Sequence, residues 1–315
     1  MQPLFYLRRL SKYPILFHLA SSGIGRAASL HFAKAGMNVW MIDIDSEELS
    51  LAQKLVKSNV NTPSSSQMIV AEVLDVSDAK SLQLLAEQVL SKGTCHILFN
   101  NAAVGLGGGA LDTDLDTLHK VMNINTFGPI YGCQAFIPGM KTSNEPGIII
   151  NTGSKQGITM PPGNLAYNLS KAALKTYTEG LEHELMKKRV EGNGKLRAVL
   201  LIPGWTNTSI MLKAERQKAL DKGETYKDED CFFYEDKPNA GAWMPQQVLD
   251  YMIEQVDQHD SFYVLCPDNE VDTETDKLRI TWTAQDITEN RPPLSRWHPD
   301  YKEKFAAYME EAKKK

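Results

Sequence analysis

PILFHLASSGIGRAASLHFAKAGMNVWMIDID, residues 14–45, is the stretch that decides the fold. Pro14 to Leu19 is an apolar run of strand length, the serines and glycines after Ala20 make a tight turn, and a helical pattern follows and ends near Gly36. NVWMIDID is a second strand-like run, with Asp43 at its end. Strand, tight turn and helix in that order suit a nucleotide. Gly23 and Gly25 let the backbone approach a pyrophosphate, and the free N–H groups at the start of the helix can receive its charge. Asp43 lies 18 residues after Gly25, at a strand's carboxyl end. A carboxylate there suits the ribose hydroxyls of NAD and repels the extra phosphate of NADP, so NAD is the expected cofactor and NADP the less favoured one. Asp45 and Ser46, followed by Glu47 and Glu48, have the composition of a helix start and leave Asp43 available.

Working outward, MIVAEVLDVSD reads as a third strand ending at Asp75 and Val76, and AKSLQLLAEQVLSK as a helix that stops at Gly93. HILFNNAA, residues 96–103, is a fourth strand whose end, Asn100, Asn101 and Ala102, supplies amides and a small residue where a flat ring can lie. Strands alternating with helices predict an α/β fold with a doubly wound parallel sheet, Rossmann-type, that binds its ligand at the carboxyl ends of the strands. One long helix, DLDTLHKVMNINTFGPIYGCQAFIPGM, carries Asn125, which can hold a water for proton transfer if it faces the helix that bears Tyr167.

The chemistry is concentrated in NTGSKQGITMPPGNLAYNLSK, residues 151–171. Tyr167 and Lys171 stand at i and i+4 on one helical face, where side chains meet. A phenol with a pKa of about 10 is a weak base at neutral pH, and a neighbouring ammonium is expected to lower that value. Ser154, at the end of a strand, can hydrogen-bond a substrate oxygen held by the tyrosine. KLRAVLLIPGWTNT, residues 195–208, is a further strand ending at Pro203 and Gly204, with the hydroxyls of Thr206 and Thr208 beyond it for a cofactor amide or phosphate. Residues 209–243 read as a substrate lid carrying Met211, Leu212, Phe232, Phe233, Tyr234 and Trp243. Pro245 starts a helix, SFYVLCPD is an edge strand, and in the tail from Asn269 the residues Trp297 and His298 are expected to dock the extension.

The 315 residues, 42% of them hydrophobic, can bury one large core, which predicts a single domain with a C-terminal extension. A net charge of −5 argues against a nucleic-acid partner. No apolar run reaches the roughly 18 to 20 residues of a membrane span. Cys95, Cys133, Cys231 and Cys266 form no C-x-x-C pair, so no metal cluster or disulfide framework is expected, and a reducing, cytoplasmic setting fits. The first 42 residues lack Asp and Glu, as organellar transit peptides do, but serine is scarce in the first 20 and cleavage far into the segment would remove the first strand. A mitochondrial location is therefore the weaker reading.

With these residues assembled, the chain resembles the short-chain dehydrogenase/reductase family from about Ala20 to Pro267. ASSGIG at 20–25, with Ser22, Gly23, Ile24 and Gly25, is similar to the family's glycine-rich loop. Asp43 resembles its NAD-type acidic residue, Asp75 and Val76 its adenine-contacting pair, and NNAA at 100–103 its Asn-Asn-Ala-Gly with Ala103 in the last place. Asn125, Ser154, Tyr167 and Lys171 match the catalytic tetrad, and Pro203, Gly204 and Thr208 the segment that holds the nicotinamide. The resemblance implies hydride transfer between a secondary alcohol or ketone and the nicotinamide. Tyr167 would be the acid/base, Lys171 would lower its pKa and hold the ribose, Ser154 would orient the substrate and Asn125 would support a proton relay. It also implies a homodimer or homotetramer built on the helices of Asn125 and Tyr167, and a small-molecule alcohol or carbonyl as partner.

One departure stands out: His18 and Leu19 occupy the places of the family's Thr-Gly. The abrupt change at Ala20 leads to the expectation that residues 1–19, an atypical segment with a possible first strand, come from an alternative or mispredicted first exon. The family-like domain spans 20–267 and the extension 268–315. A rival reading follows from the altered turn, a family member impaired in cofactor binding that acts through protein contacts. A third is dehydration or epimerisation on the same cofactor.

Overall fold

The computed structural model describes residues 15–19, 21–60, 67–105, 108–210, 212–213, 219–220, 223 and 239–313. Met211, Phe232, Phe233, Tyr234 and Cys231, as well as residues 1–14 and Ala20, lie outside them.

The strands are β1 (Ile15–Leu19), β2 (Asn38–Asp43), β3 (Ile69–Val73), β4 (Ile97–Asn100), β5 (Gly147–Thr152), β6 (Leu196–Ile202) and β7 (Tyr263–Leu265). They form one sheet in the order β3-β2-β1-β4-β5-β6-β7, every pair parallel. Among the described residues the helices are, in chain order, α1 (Gly23–Lys34), α2 (Ser46–Ser58), α3 (Ala79–Leu90), α4 (Leu115–Met122), α5 (Gly128–Ser143), α6 (Gln156–Thr159), α7 (Leu165–Val190), α8 (Pro245–His259), α9 (Thr273–Thr288) and α10 (Lys302–Lys313).

The expected doubly wound sheet is therefore present, and its strand composition explains it. β5 and β6 are buried along their whole length, as strands covered on both faces must be. Along β2 the side chains alternate between two cores. Val39 and Met41 join Phe32 of α1, Leu49 of α2 and Val248 of α8 on one face. Trp40 and Ile42 join Leu85 of α3, Phe136 of α5 and Leu185 of α7 on the other. Asp45 starts its helix as expected, accepting from the Glu47 and Glu48 amides at 3.1 and 3.0 Å, and Asp78 and Asp114 cap α3 and α4 in the same way.

The third strand stops at Val73, so Asp75 and Val76 belong to the loop beyond it, and the fourth is only Ile97–Asn100. The long helix is not continuous. A π-helical turn, Asn123–Phe127, separates α4 from α5, where Pro129 in the first turn of α5 has no N–H to offer the Asn125 carbonyl. No helix among the described residues is long and apolar enough to cross a membrane.

β1 pairs with β2 on one side and β4 on the other, so the direction of winding reverses between β1 and β4. His18 and Leu19 take ordinary register there, opposite Met41 and Ile42. The functional crevice of such a sheet opens at the carboxyl ends of these strands.

Candidate active site

A cleft of about 760 Å3 opens at that end of the sheet. Ser22, Gly23 and Ile24 line it from the first turn, Asp43 from the end of β2, Asp75 and Val76 from the loop after β3, and Asn101 and Ala102 from the loop after β4. Ser154, Tyr167 and Lys171 enter from the β5 side, and Pro203, Gly204, Thr206 and Thr208 from the loop after β6. Of the expected catalytic and cofactor-binding residues, Gly25 and Asn125 are not on its wall. Gly25 is buried inside α1.

At the first turn, Gly23 has φ of +58°, the left-handed conformation that glycine adopts without strain, and it begins α1. Next to it, Ser21 ties the turn to β2: its backbone N–H donates to Asp43 Oδ2 at 3.3 Å, and its hydroxyl donates to the same oxygen. The other oxygen of Asp43 accepts from the Asp45 amide at 3.1 Å. Glu48 completes this corner, accepting from the Ser21 hydroxyl at 3.3 Å and pairing with Lys213 at 2.5 Å, so a residue of the expected lid segment reaches across to α2.

At the ends of β4 and β5 the polar side chains satisfy one another inside the protein. Asn100 Nδ2 donates to Asn151 Oδ1 at 2.8 Å, and Asn151 Nδ2 donates to Thr178 Oγ1 at 3.0 Å. Thr152 Oγ1 donates to Asn101 Oδ1 at 3.1 Å, which fixes that amide at the cleft wall. Room for this ladder comes from Gly132 in α5, where a Cβ would stand 2.7 Å from Asn100 Oδ1.

Ser154, Tyr167 and Lys171 come together as their spacing predicts. The Ser154 hydroxyl hydrogen-bonds the Tyr167 side chain and accepts the Gln156 amide at 3.1 Å. Lys171 lies along the tyrosine, its Nζ 5.7 Å from the ring centroid, and donates to the Thr152 carbonyl at 2.7 Å. The short α6 can press against α7 at this point because residue 157 is glycine; a Cβ there would lie 2.6 Å from the Lys171 carbonyl carbon.

The electrostatics differ from the sequence expectation. Burial raises the Tyr167 phenol above its ordinary value, and only the Ser154 hydrogen bond opposes that. Burial also pushes the Lys171 ammonium down, to about 7. Lys171 is 1% exposed, and its own charge is costly there.

Asn125 is fully buried in the π-turn rather than facing the cleft. Its Oδ1 accepts from the Val104 amide at 2.8 Å, and its Nδ2 donates to the Val104 carbonyl at 3.0 Å and to Ser170 Oγ at 3.1 Å. The side chain thus clamps a cleft-wall residue, with both of its N–H donors committed and one lone pair of Oδ1 left open.

Several cleft residues were not singled out individually in the sequence: Ser21, Val104, Gly105, Lys155, Gln156, Trp205 and Lys213. Ser21 and Lys155 stand beside recognised motif residues and were legible only as neighbours. Most of the expected lid, 209–243, lies outside the described residues; at its end Trp243 packs edge-on against Tyr251 at 5.7 Å beside the main core, while Trp205, before the segment, is 45% exposed at the cleft. In the extension the buried aromatic is Trp282, held by Ser295, Arg291 and Phe305, whereas Trp297 is 37% exposed.

Among the described residues no group of His, Cys, Asp or Glu is arranged to hold a metal ion, and Cys95, Cys133 and Cys266 are buried.

Comparison with known proteins agrees with this geometry. The family model for short chain dehydrogenases matches residues 16–219. A dehydrogenase/reductase SDR family protein 7-like from Anopheles gambiae is 28% identical over 262 residues, covering 82% of this chain and 77% of its own. Among solved structures, a short chain dehydrogenase/reductase from Burkholderia phymatum, in complex with NAD, has a TM-score of 0.72 at 26% identity, covering 88% of this chain and 95% of that one. A metagenomic short-chain oxidoreductase in complex with NADP shares the fold, with a TM-score of 0.59 at 21% identity and coverage of 80% of this chain and 95% of its own. The match over most of the sheet, joined to a Ser-Tyr-Lys cluster at the switch-point cleft, establishes that this chain belongs to the short-chain dehydrogenase family of oxidoreductases.

Proposed function

We propose that the chain is an NAD-dependent oxidoreductase of secondary alcohols or ketones, with Tyr167 as its acid/base. The observation that carries this reading is the Ser154–Tyr167 hydrogen bond beside buried Lys171 in the cleft.

The residues present fit a dinucleotide. The left-handed Gly23 at the start of α1 suits a pyrophosphate, and the Asp43 carboxylate, fixed by Ser21 and Asp45, suits ribose hydroxyls. Val76, Asn101 and Ala102 offer flat, small or amide-bearing walls for the ring systems. The solved relatives include one with NAD and one with NADP; the carboxylate of Asp43 favours NAD. Such a group, when bound, supplies the hydride chemistry.

The chain's own residues do the rest. Tyr167, held protonated by burial, gives its proton to a carbonyl oxygen in reduction and takes one back in alcohol oxidation. Ser154 holds that same oxygen beside the phenol. Lys171, close to neutral pH in its titration, lets the proton move onward, and an anion near its ammonium restores its charge. Asn125 acts indirectly: its side chain is committed to Val104, which leaves the main-chain carbonyl that Pro129 cannot pair as its contribution to a relay. Trp205, Ile210 and Val104 give the substrate end an apolar side. The outward faces of α5 and α7 are the expected contact between subunits of a dimer or tetramer.

A screen of secondary alcohols with NAD and of ketones with NADH tests the reading. Tyr167→Phe should lower kcat by about a thousandfold with cofactor affinity unchanged. Equal turnover by Tyr167→Phe and the unaltered chain would refute the assignment.

A further inference from the structure

Directly after Ser154 stands a cation that the proposed chemistry does not use. Lys155 Nζ pairs with Asp268 Oδ2 at 3.3 Å and with Asp276 Oδ2, and the three side chains are only 17%, 7% and 7% exposed. The carboxylates come from two places in the C-terminal part of the chain. Asp268 follows β7, and Asp276 lies in the first turn of α9. Arg279, one turn further on, reaches Asp276 Oδ1 at 3.9 Å.

Asp268 is also a backbone clamp. Its Oδ2 accepts the Trp205 amide at 3.0 Å, and its Oδ1 accepts the Glu270 and Val271 amides at 3.0 and 2.8 Å. The cluster leaves no space for a side chain at Gly204, where a Cβ would stand 2.7 Å from Asp268 Oδ2 and 2.8 Å from Lys155 Nζ. Burial raises both carboxyls. At Asp268 the Trp205 amide and Lys155 outweigh it and hold the group below the usual range, while at Asp276 burial wins over Lys155 and the group stays raised. A half-buried cation between two carboxylates is costly unless each group stays in place, so the arrangement resists displacement of any member. Lys155 belongs to the Ser154 loop, Asp268 follows β7 and holds the Gly204–Trp205 turn through the Trp205 amide, and Asp276 lies in the helix of the extension.

We propose that Lys155, Asp268 and Asp276 are positioning residues: together they lock the Ser154 loop and the Gly204–Trp205 turn to α9, so that the C-terminal extension sets the geometry of the catalytic cleft. This rests on the reading of Ser154 and Tyr167 as the reacting pair.

The test uses the full chain and its Lys155→Met and Asp276→Asn variants, with hydrogen exchange resolved to peptides and steady-state kinetics on whichever alcohol or ketone the unaltered chain turns over. The locked loops predict exchange about tenfold faster in segments 153–160 and 203–206, with β5 and β6 unchanged. They also predict kcat lower by about tenfold at nearly constant KM. Unchanged exchange in both segments would overturn the proposal, as would faster exchange spread equally over β5 and β6, or faster loop exchange with unaltered kcat. If the unaltered chain turns over no alcohol or ketone, the catalytic reading fails on its own, and the exchange pattern alone decides whether the cluster locks the loops.

Discussion

Asn125 grips Val104 at both ends of its peptide units, accepting from its N–H at 2.8 Å and donating to its carbonyl at 3.0 Å. A π-turn delivers the amide to that spot from within a helical run, and Val104 forms part of the cleft wall. Replacing the amide by a group of similar size without polar atoms leaves two main-chain groups unpaired. Asn125→Leu should therefore lose about 2 kcal/mol of stability. Urea unfolding of the two proteins reads this directly; equal midpoints and slopes would show that the clamp is dispensable.

Lys171 sets up a conflict between stability and chemistry. Its pKa falls from 10.5 in the unfolded chain to about 7 in the fold, so the unfolded state binds more protons between those values. Stability from this group is thus recovered as pH rises from about 7 toward 10.5 and is lost as pH falls back to 7. Lys171→Met removes the penalty and should stabilise the free protein at pH 7 by about 1 kcal/mol while ending turnover. Its advantage over the unaltered chain should shrink steadily between pH 7 and pH 10. A melting series across that range in which the advantage stayed constant would contradict the buried-charge argument.

Tyr167, like any phenol, is on the acid side of its titration at neutral pH, and burial raises it further. Ketone reduction needs the protonated phenol and should be flat with pH through neutrality. Alcohol oxidation needs the phenolate, whose fraction grows about tenfold per pH unit below the pKa. Plots of log kcat/KM against pH in both directions provide the check, with a rising limb of slope about 1 expected for oxidation alone. Parallel profiles in the two directions would point to another acid/base.

The sheet was legible in the chain because its strands announce themselves twice, by apolar runs such as Ile148–Ile150 and by the motif residues at their ends. The i,i+4 spacing of Tyr167 and Lys171 likewise translated directly into side-chain proximity, since a helix permits little else. Their protonation did not follow from spacing, because burial depends on what the rest of the fold places around a group. Asn125 does face the helix of Tyr167, through Ser170, but its bonds to Val104 had no signal in the sequence, because the π-turn at 123–127 and the loop it meets depend on the fold. Lys155 was invisible because its two carboxylate partners are more than a hundred residues away, a pairing that only the return of the chain through β7 and α9 creates. Trp243, counted among the lid aromatics, packs on Tyr251 instead, as composition gives the number of aromatics near a cleft but not which one faces it.

A calorimetric titration of the full chain with NAD and, in parallel, NADP tests the central claim most directly. On the proposed reading, the Asp43 carboxylate, anchored by Ser21 and Asp45, would receive the ribose hydroxyls of NAD and disfavour the extra phosphate of NADP. The expected result is NAD binding with a dissociation constant of about micromolar and NADP binding at least about tenfold weaker. Binding of neither would contradict the claim, showing that a chain with His18 and Leu19 before the turn does not hold the cofactor despite its intact Ser154, Tyr167 and Lys171.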